Sequence, residues 1–486
     1  MHPTTIPTVI LDNGASTIKA GILGVHDHHP RIIPNAVVRA KADNATYIGH
    51  ELANCRDFTS LRFRLPFEKG FLVDWDAQKA IWDGLFSTEV LAVNTSDASL
   101  LITEPYFNLP NIQDVYDQFM FEEYEFRSYF RCTPAFLLSH GPLFAQHDLP
   151  PPECLLIIDS GFSFTHVVPV LNGDVVWEAV KRIDVGGKLL TNHLKETVSY
   201  RQWNMMEETH IMNEIKEACC FVSEDFAVDL ETCRARPTAN PIVQEYIFPD
   251  YSARRPGRIR NPGESLDEST QQTLRMANER FSVPEILFHP TNIGLDQAGL
   301  SATVAASIAL LPEDLQGMFW ANIGLIGGNT AMPGFRDRLT SELRSLAPIE
   351  CDVCVYASAE PILEAYRAAV AFAARPEFAS QCVVTREEYQ EMGSSACRRK
   401  FRDWKPAPVD REPHQQPAAS RGAAGARTRG KAKAASESDS DSASENESRD
   451  GGSPRPAQPT KKPGRGRGRG RGARGGGGGS SGRRGT

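Results

Sequence analysis

Two stretches of this chain share one design. "TVILDNGASTIKAGILG" (8–24) and "LLIIDSGFSFTHVVPVL" (155–171) each run apolar into an Asp, a polar residue and a Gly, then return apolar. Each reads as strand, tight turn, strand. Gly in such a turn lets successive backbone N–H groups close on an anion. Asp12 and Asp159 stand 147 residues apart, far enough for each hairpin to open its own lobe. This is a weak internal duplication, one of architecture more than of sequence. A chain of 486 residues exceeds one ordinary core, so two or more lobes are expected.

Between and after the hairpins, strand-like and helical patterns alternate, which indicates an α/β chain. "LLITEPYF" (100–107) reads as a strand, and "NIQDVYDQFMFEEYEF" (111–126) as a helix entered through Pro110. "VGGKLLTNHLKETVSY" starts a helix just past Gly186 and Gly187. "THIMNEIKEACCFVSEDF" reads as a second helix, with Ile211, Ile215 and Cys219 on its apolar face. The polar run "SARRPGRIRNPGESLDESTQQ" (252–272) reads as a surface insertion, and its Arg254, Arg255, Arg258 and Arg260 either meet an acidic partner or are simply solvated. "ANIGLIGGNTAMPGFRDRLTSEL" is a strand into a Gly-Gly turn, with a helix from about Gly334.

Three glycine turns therefore follow strands. A nucleotide clamped between two lobes would use such a set. Asp12, Asn13, Gly14 and Asp159, Ser160, Gly161 would wrap the phosphates, with Gly187 at a nearby helix start. The carboxylates of Asp12 and Asp159 would hold a hydrated Mg²⁺ through water, and Lys19 would neutralise phosphate charge. Gly327 and Gly328 would let adenosine approach the backbone. Any one of these turns alone is an ordinary tight turn; only their conjunction and order point to a nucleotide.

Other features exclude more than they assign. No run of 18 apolar residues exists, so no membrane span is expected. The first residues lack the basic and apolar regions of a secretory signal, and ten cysteines in that context read as free thiols in a reducing compartment. Cys351 and Cys354 alone have CxxC spacing; without a second pair they read as buried strand thiols rather than a zinc site. His26, His28 and His29 read as a solvated loop. The net charge of −8 hides an asymmetry: residues 421–486 carry 16 Lys+Arg against 6 Asp+Glu, which leaves −18 on the rest. Residues 405–486 are expected to be a disordered tail, in which "SESDSDSASENESRD" and "PTKKPGRGRGRGRGARGGGGGSSGRRGT" are low in complexity and almost free of apolar residues. An acidic serine block in it precedes a basic Arg-Gly run. There Lys461, Lys462, Arg465, Arg467, Arg469, Arg471 and Arg474 are candidates for DNA contact, since Arg between glycines can follow a narrow minor groove. RNA binding, or a purely solvated spacer, are the alternatives.

Six segments carry a family resemblance: "LDNGASTIKAG", "LPFEKGFLVDWDAQKAIWDGLF", "IIDSGFSFTHVVPV", "NEIKEACCFV", "NERFSVPEILFHP" and "IGLIGGNTAMPGFRDRL". In their order, and over most of residues 8–400, they resemble the actin superfamily. Within it, "ITEPYFNLPNIQDV", "FEEYEF", "VGGKLLTNHLKE", "ANERFSVPEILF" and "VVTREEY" resemble the sixth class of nuclear actin-related proteins. The resemblance implies an actin-like two-lobed fold of four subdomains around a nucleotide cleft, spanning residues 1–404. Lobe one would be about 1–150 and 355–404, with a shortened small subdomain at about 40–65; lobe two would be about 151–354. ATP with Mg²⁺ is implied as a structural ligand. His166 matches a water-orienting residue, and Lys216 and Glu217 match the pair that flanks ribose and adenine. The class further implies a subunit of a Swr-type remodelling complex that exchanges a variant histone into nucleosomes. Its partners would be the remodeller's subunits, histones and nucleosomes, and DNA through the tail. Its place would be the nucleus, with a cytoplasmic pool.

The departures from the actin pattern point away from catalysis. Ala15 and Ser16 stand in the first phosphate turn, where actin has Ser and Gly. Phe162-Ser163 stand in the second, where actin has Asp and Gly. Phe162 either adds bulk where phosphate would sit or turns away into lobe packing. The glutamine that orients the attacking water falls near Pro134, which has no side-chain donor and no N–H. Ala368-Ala369 replace a glycine pair expected near adenine. The loop that grips the next filament subunit shrinks to "AKADNAT" (40–46). The expectation is a non-catalytic scaffold subunit that forms no homopolymer. The rival is an actin-like ATPase acting in filaments. A sugar-kinase or chaperone relative would share the hairpins but not the class-specific stretches.

Overall fold

The structure, a computed structural model, describes residues 6–145, 152–235, 240–265 and 271–401. The expected tail and its candidate basic residues lie outside the described residues. The chain divides into two units, 1–409 and 410–486, and the described residues all belong to the first.

Two sheets organise it. In lobe one, six strands lie in the order Val384–Thr385, Ser128–Cys132, Ser99–Thr103, Thr8–Asn13, Thr17–Ile22, Arg31–Pro34. In lobe two the order is Asp174–Val175, Thr165–Leu171, Cys154–Ser160, Ile323–Ile326, Val355–Ala357. Both sheets use one plan. The first strand of each hairpin pairs antiparallel with its return strand on one side. On the other side it pairs parallel with a later strand, Ser99–Thr103 or Ile323–Ile326. Val9, Ile10, Leu11 and Leu156, Ile157, Ile158 are all buried, so these strands are covered on both faces. That is why they read as continuous apolar runs rather than alternating ones. The parallel pairing carries Asp12 and Asp159 to corresponding strand ends, where the cleft opens.

Several expectations need correction. Val355–Ala357 pairs with Ile323–Ile326, so the lobe-two sheet extends past the expected boundary at 354. Ala368 and Ala369 are fully buried in the core on the helix Glu364–Ala373 and do not wall the cleft. A Cβ on Gly141 would come within 2.7 Å of the Ala368 Cβ, which shows how closely that helix packs. The helix from Thr209 stops at Cys219, because Phe221 and Val222 donate their N–H groups to Arg280 O and Pro333 O; a separate helix follows at Phe226–Ala235. Cys354 is exposed and Cys351 half-buried, since the strand begins only at Val355. In the 252–272 insertion, Arg258–Ile259 joins a three-stranded sheet with Gln244–Ile247 and Thr273–Met276. Arg258 pairs with Glu264 and Arg260 with Glu245, so two of its four arginines serve local structure; residues 266–270 lie outside the described residues.

The small subdomain is a three-stranded sheet of Val37–Arg39, Thr46–Ile48 and Arg62–Arg64 with its own core around Val38, Leu52 and Leu61. Residues 40–45 connect its first two strands as a tight loop. Ala40 N–H bonds Ala45 O, and the Arg39 guanidinium clasps Asn44 Oδ1 at 2.6 Å. Among the described residues, no helix is long and apolar enough to cross a membrane. None of their His, Cys, Asp and Glu side chains form a group of three or more suited to a metal ion.

Candidate functional site

A cleft of about 550 Å³ lies between the lobes. The first hairpin supplies Asp12, Asn13, Gly14 and Lys19 to its wall. Gly14 N–H bonds Asp12 O, and a Cβ at Gly14 would come within 2.7 Å of Thr17 O, so this turn accepts only glycine. Thr103 Oγ1 donates to Asp12 Oδ1 at 2.9 Å, and Lys19 Nζ lies 3.3 Å from Oδ2. Asn13 donates its N–H to Thr103 Oγ1 and its Nδ2 to the Tyr116 hydroxyl. Its Oδ1 is buried with no protein partner, an acceptor left for something else.

The second hairpin supplies Asp159, Gly161, Phe162 and His166. Ser160 does not face the cleft. Its fully buried side chain bonds Thr165 Oγ1 and accepts from Asn329 Nδ2, which locks the turn from behind. That corrects its assignment as a ligand contact. Gly327 (φ +90°) lies directly against the Ser160 backbone, where any Cβ would collide. The carbonyls of Gly161 and Phe162 take the N–H groups of Gly187 and Lys188, fastening the turn to the helix Gly187–Arg201. Phe162 lines the cleft and joins neither apolar core. Pro134 lines it too, at the start of the helix Pro134–Leu138.

Burial pushes the Asp159 carboxyl up to about 6; the neighbouring Asp12 charge adds to the rise, and a hydrogen bond from Tyr106 opposes it. Burial likewise holds His166 down at about 3, helped by the Arg182 charge, so its imidazole is neutral at pH 7. Arg182 lies over the Phe164 ring at 4.5 Å. At the other end of the cleft, Lys216 Nζ donates to Gly187 O, Thr191 Oγ1 and Asn213 Oδ1, and burial lowers its pKa. Glu217 accepts from Asn213 Nδ2 at 2.7 Å, and both line the cleft with Gly327 and Gly328.

The residues fit a nucleotide: the turns at Gly14 and Gly327 leave no room for a Cβ, so a ligand can approach the backbone there, and a polar end lies opposite a carboxylate end. For a divalent cation the donor set is thin. Both Asp12 oxygens are engaged, and of Asp159 only Oδ1 takes no hydrogen bond. A cation here would reach these side chains mainly through water.

Tyr106, Thr103, Asn329 and Asn213 are site residues that sequence motifs alone do not single out. Each sits inside or beside a recognisable segment, but only tertiary pairing brings it to the cleft. Also unforeseen is a latch across the cleft mouth. Ser60 N–H and Oγ donate to Glu208 at 2.9 and 3.0 Å, Phe58 stacks on His210 at 4.6 Å, and Lys41 pairs with Glu207. Deeper in, Gly70 (φ +78°) presses on the Phe164 ring, where a Cβ would come within 2.7 Å.

Comparison with known proteins agrees with this geometry. The family model described as Actin matches residues 4–402. "Actin-like protein ARP6" of Cryptococcus neoformans is 50% identical over 416 residues, covering 82% of this chain and 85% of that protein. "Actin-like protein ARP6" of Yarrowia lipolytica is 40% identical over 81% of this chain and 97% of its own length. "Actin-related protein 6" of Drosophila melanogaster is 36% identical over 79% and 97%. This chain belongs to the actin family, in its actin-related protein 6 group. The actin fold is a nucleotide-binding fold, and in this member the two hairpins, the Gly327–Gly328 turn and the Lys216–Glu217 pair enclose the cleft.

Proposed function

We propose that this protein is a non-catalytic, actin-related scaffold subunit of a Swr-type chromatin-remodelling complex. That complex exchanges a variant histone into nucleosomes and acts in transcriptional regulation and genome maintenance. Its site of action is the nucleus, with a cytoplasmic pool. ATP with Mg²⁺, where bound, serves as a structural ligand and is not turned over.

The observation that carries the non-catalytic reading is Pro134. It lines the cleft, and where the actin pattern has the glutamine that orients the attacking water it offers no side-chain hydrogen-bonding group. In-line attack on a terminal phosphate depends on positioning and electrostatics. Losing one such group commonly costs about 10²–10³ in rate. His166 is neutral and walled by aromatic rings, and Phe162 narrows the same region. The kinship with proteins named actin-related protein 6 supports the remodeller assignment.

The test is purification of the tagged full chain from its own cells, with identification of co-purifying subunits and of any bound nucleotide. Histones and a Swr-type ATPase in stoichiometric amounts are expected. In parallel, single-turnover hydrolysis should be negligible. Hydrolysis at the rate of an ordinary actin, with cytoskeletal partners in place of remodeller subunits, would favour the filament ATPase instead.

A further inference from the structure

The phosphate end of the cleft already holds a side chain. Tyr106 is 5% exposed and lies between the two lobes. Its hydroxyl donates to Asp159 Oδ2 at 3.1 Å. Its ring lies 4.7 Å from that of His166, and the Ala135 N–H faces the hydroxyl from beside Pro134. Asp159, His166 and the 134–135 backbone are the groups that would surround a water aligned on a terminal phosphate. Here they surround a phenol.

The side chain is also firmly placed. Residue 106 follows the strand Ser99–Thr103 in a loop pinned through the buried Glu104 carboxylate. That carboxylate accepts from Asn108 Nδ2 at 2.7 Å, Gln113 Nε2 at 3.2 Å and Arg131 at 2.7 Å. Phe107, the next residue, holds a left-handed φ of +56°. A swing of Tyr106 out of the cleft would break a charge-assisted hydrogen bond in a loop with little freedom to follow.

We propose that Tyr106 fills the terminal-phosphate position, so that this cleft selects a nucleoside diphosphate over the triphosphate. This rests on the reading of the cleft as a nucleotide site. A third phosphate would need the volume Tyr106 occupies and would bring further negative charge against Asp12 and Asp159. Of the cations lining this end, Lys19 is already paired with Asp12, and Arg182 lies over the Phe164 ring. A diphosphate stops short of that end while keeping the adenosine end and the hairpin backbones. Displacing a buried hydroxyl from a carboxylate corresponds to about a 10- to 100-fold penalty on the triphosphate.

The experiment is calorimetric titration of the full chain with ADP and with the non-hydrolysable triphosphate AMP-PNP, repeated with and without Mg²⁺. ADP should bind at least about tenfold tighter. Tyr106→Ala should tighten AMP-PNP until the two are within a few-fold, with ADP little changed. Tyr106→Phe, which keeps the ring but loses its anchor on Asp159, should shift the ratio in the same direction by a smaller factor; it also serves if the alanine variant misfolds. Equal or tighter triphosphate binding by the unmodified protein overturns the inference and leaves the nucleotide site standing. So does a ratio that neither variant moves. Failure of both nucleotides to bind overturns the site reading along with it.

Discussion

Replacing Asp159 by asparagine should stabilise the nucleotide-free protein at neutral pH and do much less in acid. Its carboxyl titrates near 6 in the fold against 3.8 in the unfolded chain. A folded-state pKa above the unfolded value means the native state binds the proton more tightly, so the ionised group opposes folding. The penalty is absent below about 3.8, grows through the window from about 3.8 to 6, and is complete above it. At 1.36 kcal/mol per unit this reaches about 3 kcal/mol at pH 8 and about 1 kcal/mol at pH 4.5. Water in the cleft screens part of it, so about 3 kcal/mol is an upper bound. Asparagine is isosteric, and its Oδ1 still accepts from Tyr106. With an unfolding entropy of roughly 2.1 cal/mol/K per residue over roughly 400 folded residues, each kcal/mol moves Tm by about 1.2 °C. Scanning calorimetry in chelator should therefore show a rise of up to about 3–4 °C at pH 8 and about 1 °C at pH 4.5. An equal shift at both pH values, or a loss of stability at pH 8, would refute the idea that an ionised, desolvated Asp159 is held in place by the fold.

Three further outcomes are expected. Glu208→Ala removes both acceptors of Ser60; at about 1 kcal/mol, amide exchange across residues 37–64 should accelerate about fivefold, and unchanged protection would show that the latch does not hold the small subdomain. With only residues 40–45 between its two strands, the small subdomain offers little reach to a neighbouring copy, so concentrated protein with Mg²⁺ and ATP should stay in the supernatant on ultracentrifugation; a filament pellet would contradict this. In the full chain, joint replacement of Arg465, Arg467, Arg469 and Arg471 by alanine should flatten the slope of log K for duplex DNA against log salt by roughly 3–4, and an unchanged slope would exclude these residues from the contact.

The two hairpins were legible because their signal is local: an apolar run, a carboxylate and a glycine within a few residues. The Gly327 turn was legible for the same reason, and its φ of +90° against the Ser160 backbone gives the glycine its physical cause. Tyr106 was not legible. Its place in the cleft arises only when Ser99–Thr103 pairs parallel beside Thr8–Asn13 and the lobes meet, bringing it to a residue 53 positions away. Ser160 sat in the right motif, but strand alternation turns it to the buried face, a matter of register that composition does not reveal. Arg258 and Arg260 looked free because Glu245 reaches Arg260 only through a three-stranded pairing and Glu264 reaches Arg258 only through the turn after it. Ala368 and Ala369 match the position of a glycine pair in sequence, whereas the helix Glu364–Ala373 rotates them into the core with Tyr366 and Phe372.

An actin-type ATPase works as a timer only if closure of its lobes depends on the terminal phosphate. Otherwise loss of that phosphate changes no shape. In this protein, contacts made by the chain itself bridge the cleft. Ser60 holds Glu208, Phe58 stacks on His210, and the Phe164 ring is wedged against Gly70 while Arg182 covers it. None of these contacts reads the state of a phosphate. Tyr106, Phe162 and Pro134, a phenol and two side chains without a hydrogen-bonding group, line the same cleft, and in the inference drawn above they stand where a terminal phosphate would be read. On the proposed reading, a ligand in this cleft adds to contacts the chain already makes across it, so it would stabilise one conformation rather than switch between two. Such behaviour fits the scaffold role proposed above, in which the phosphate end of the cleft has lost its chemistry while the fold around it keeps its geometry.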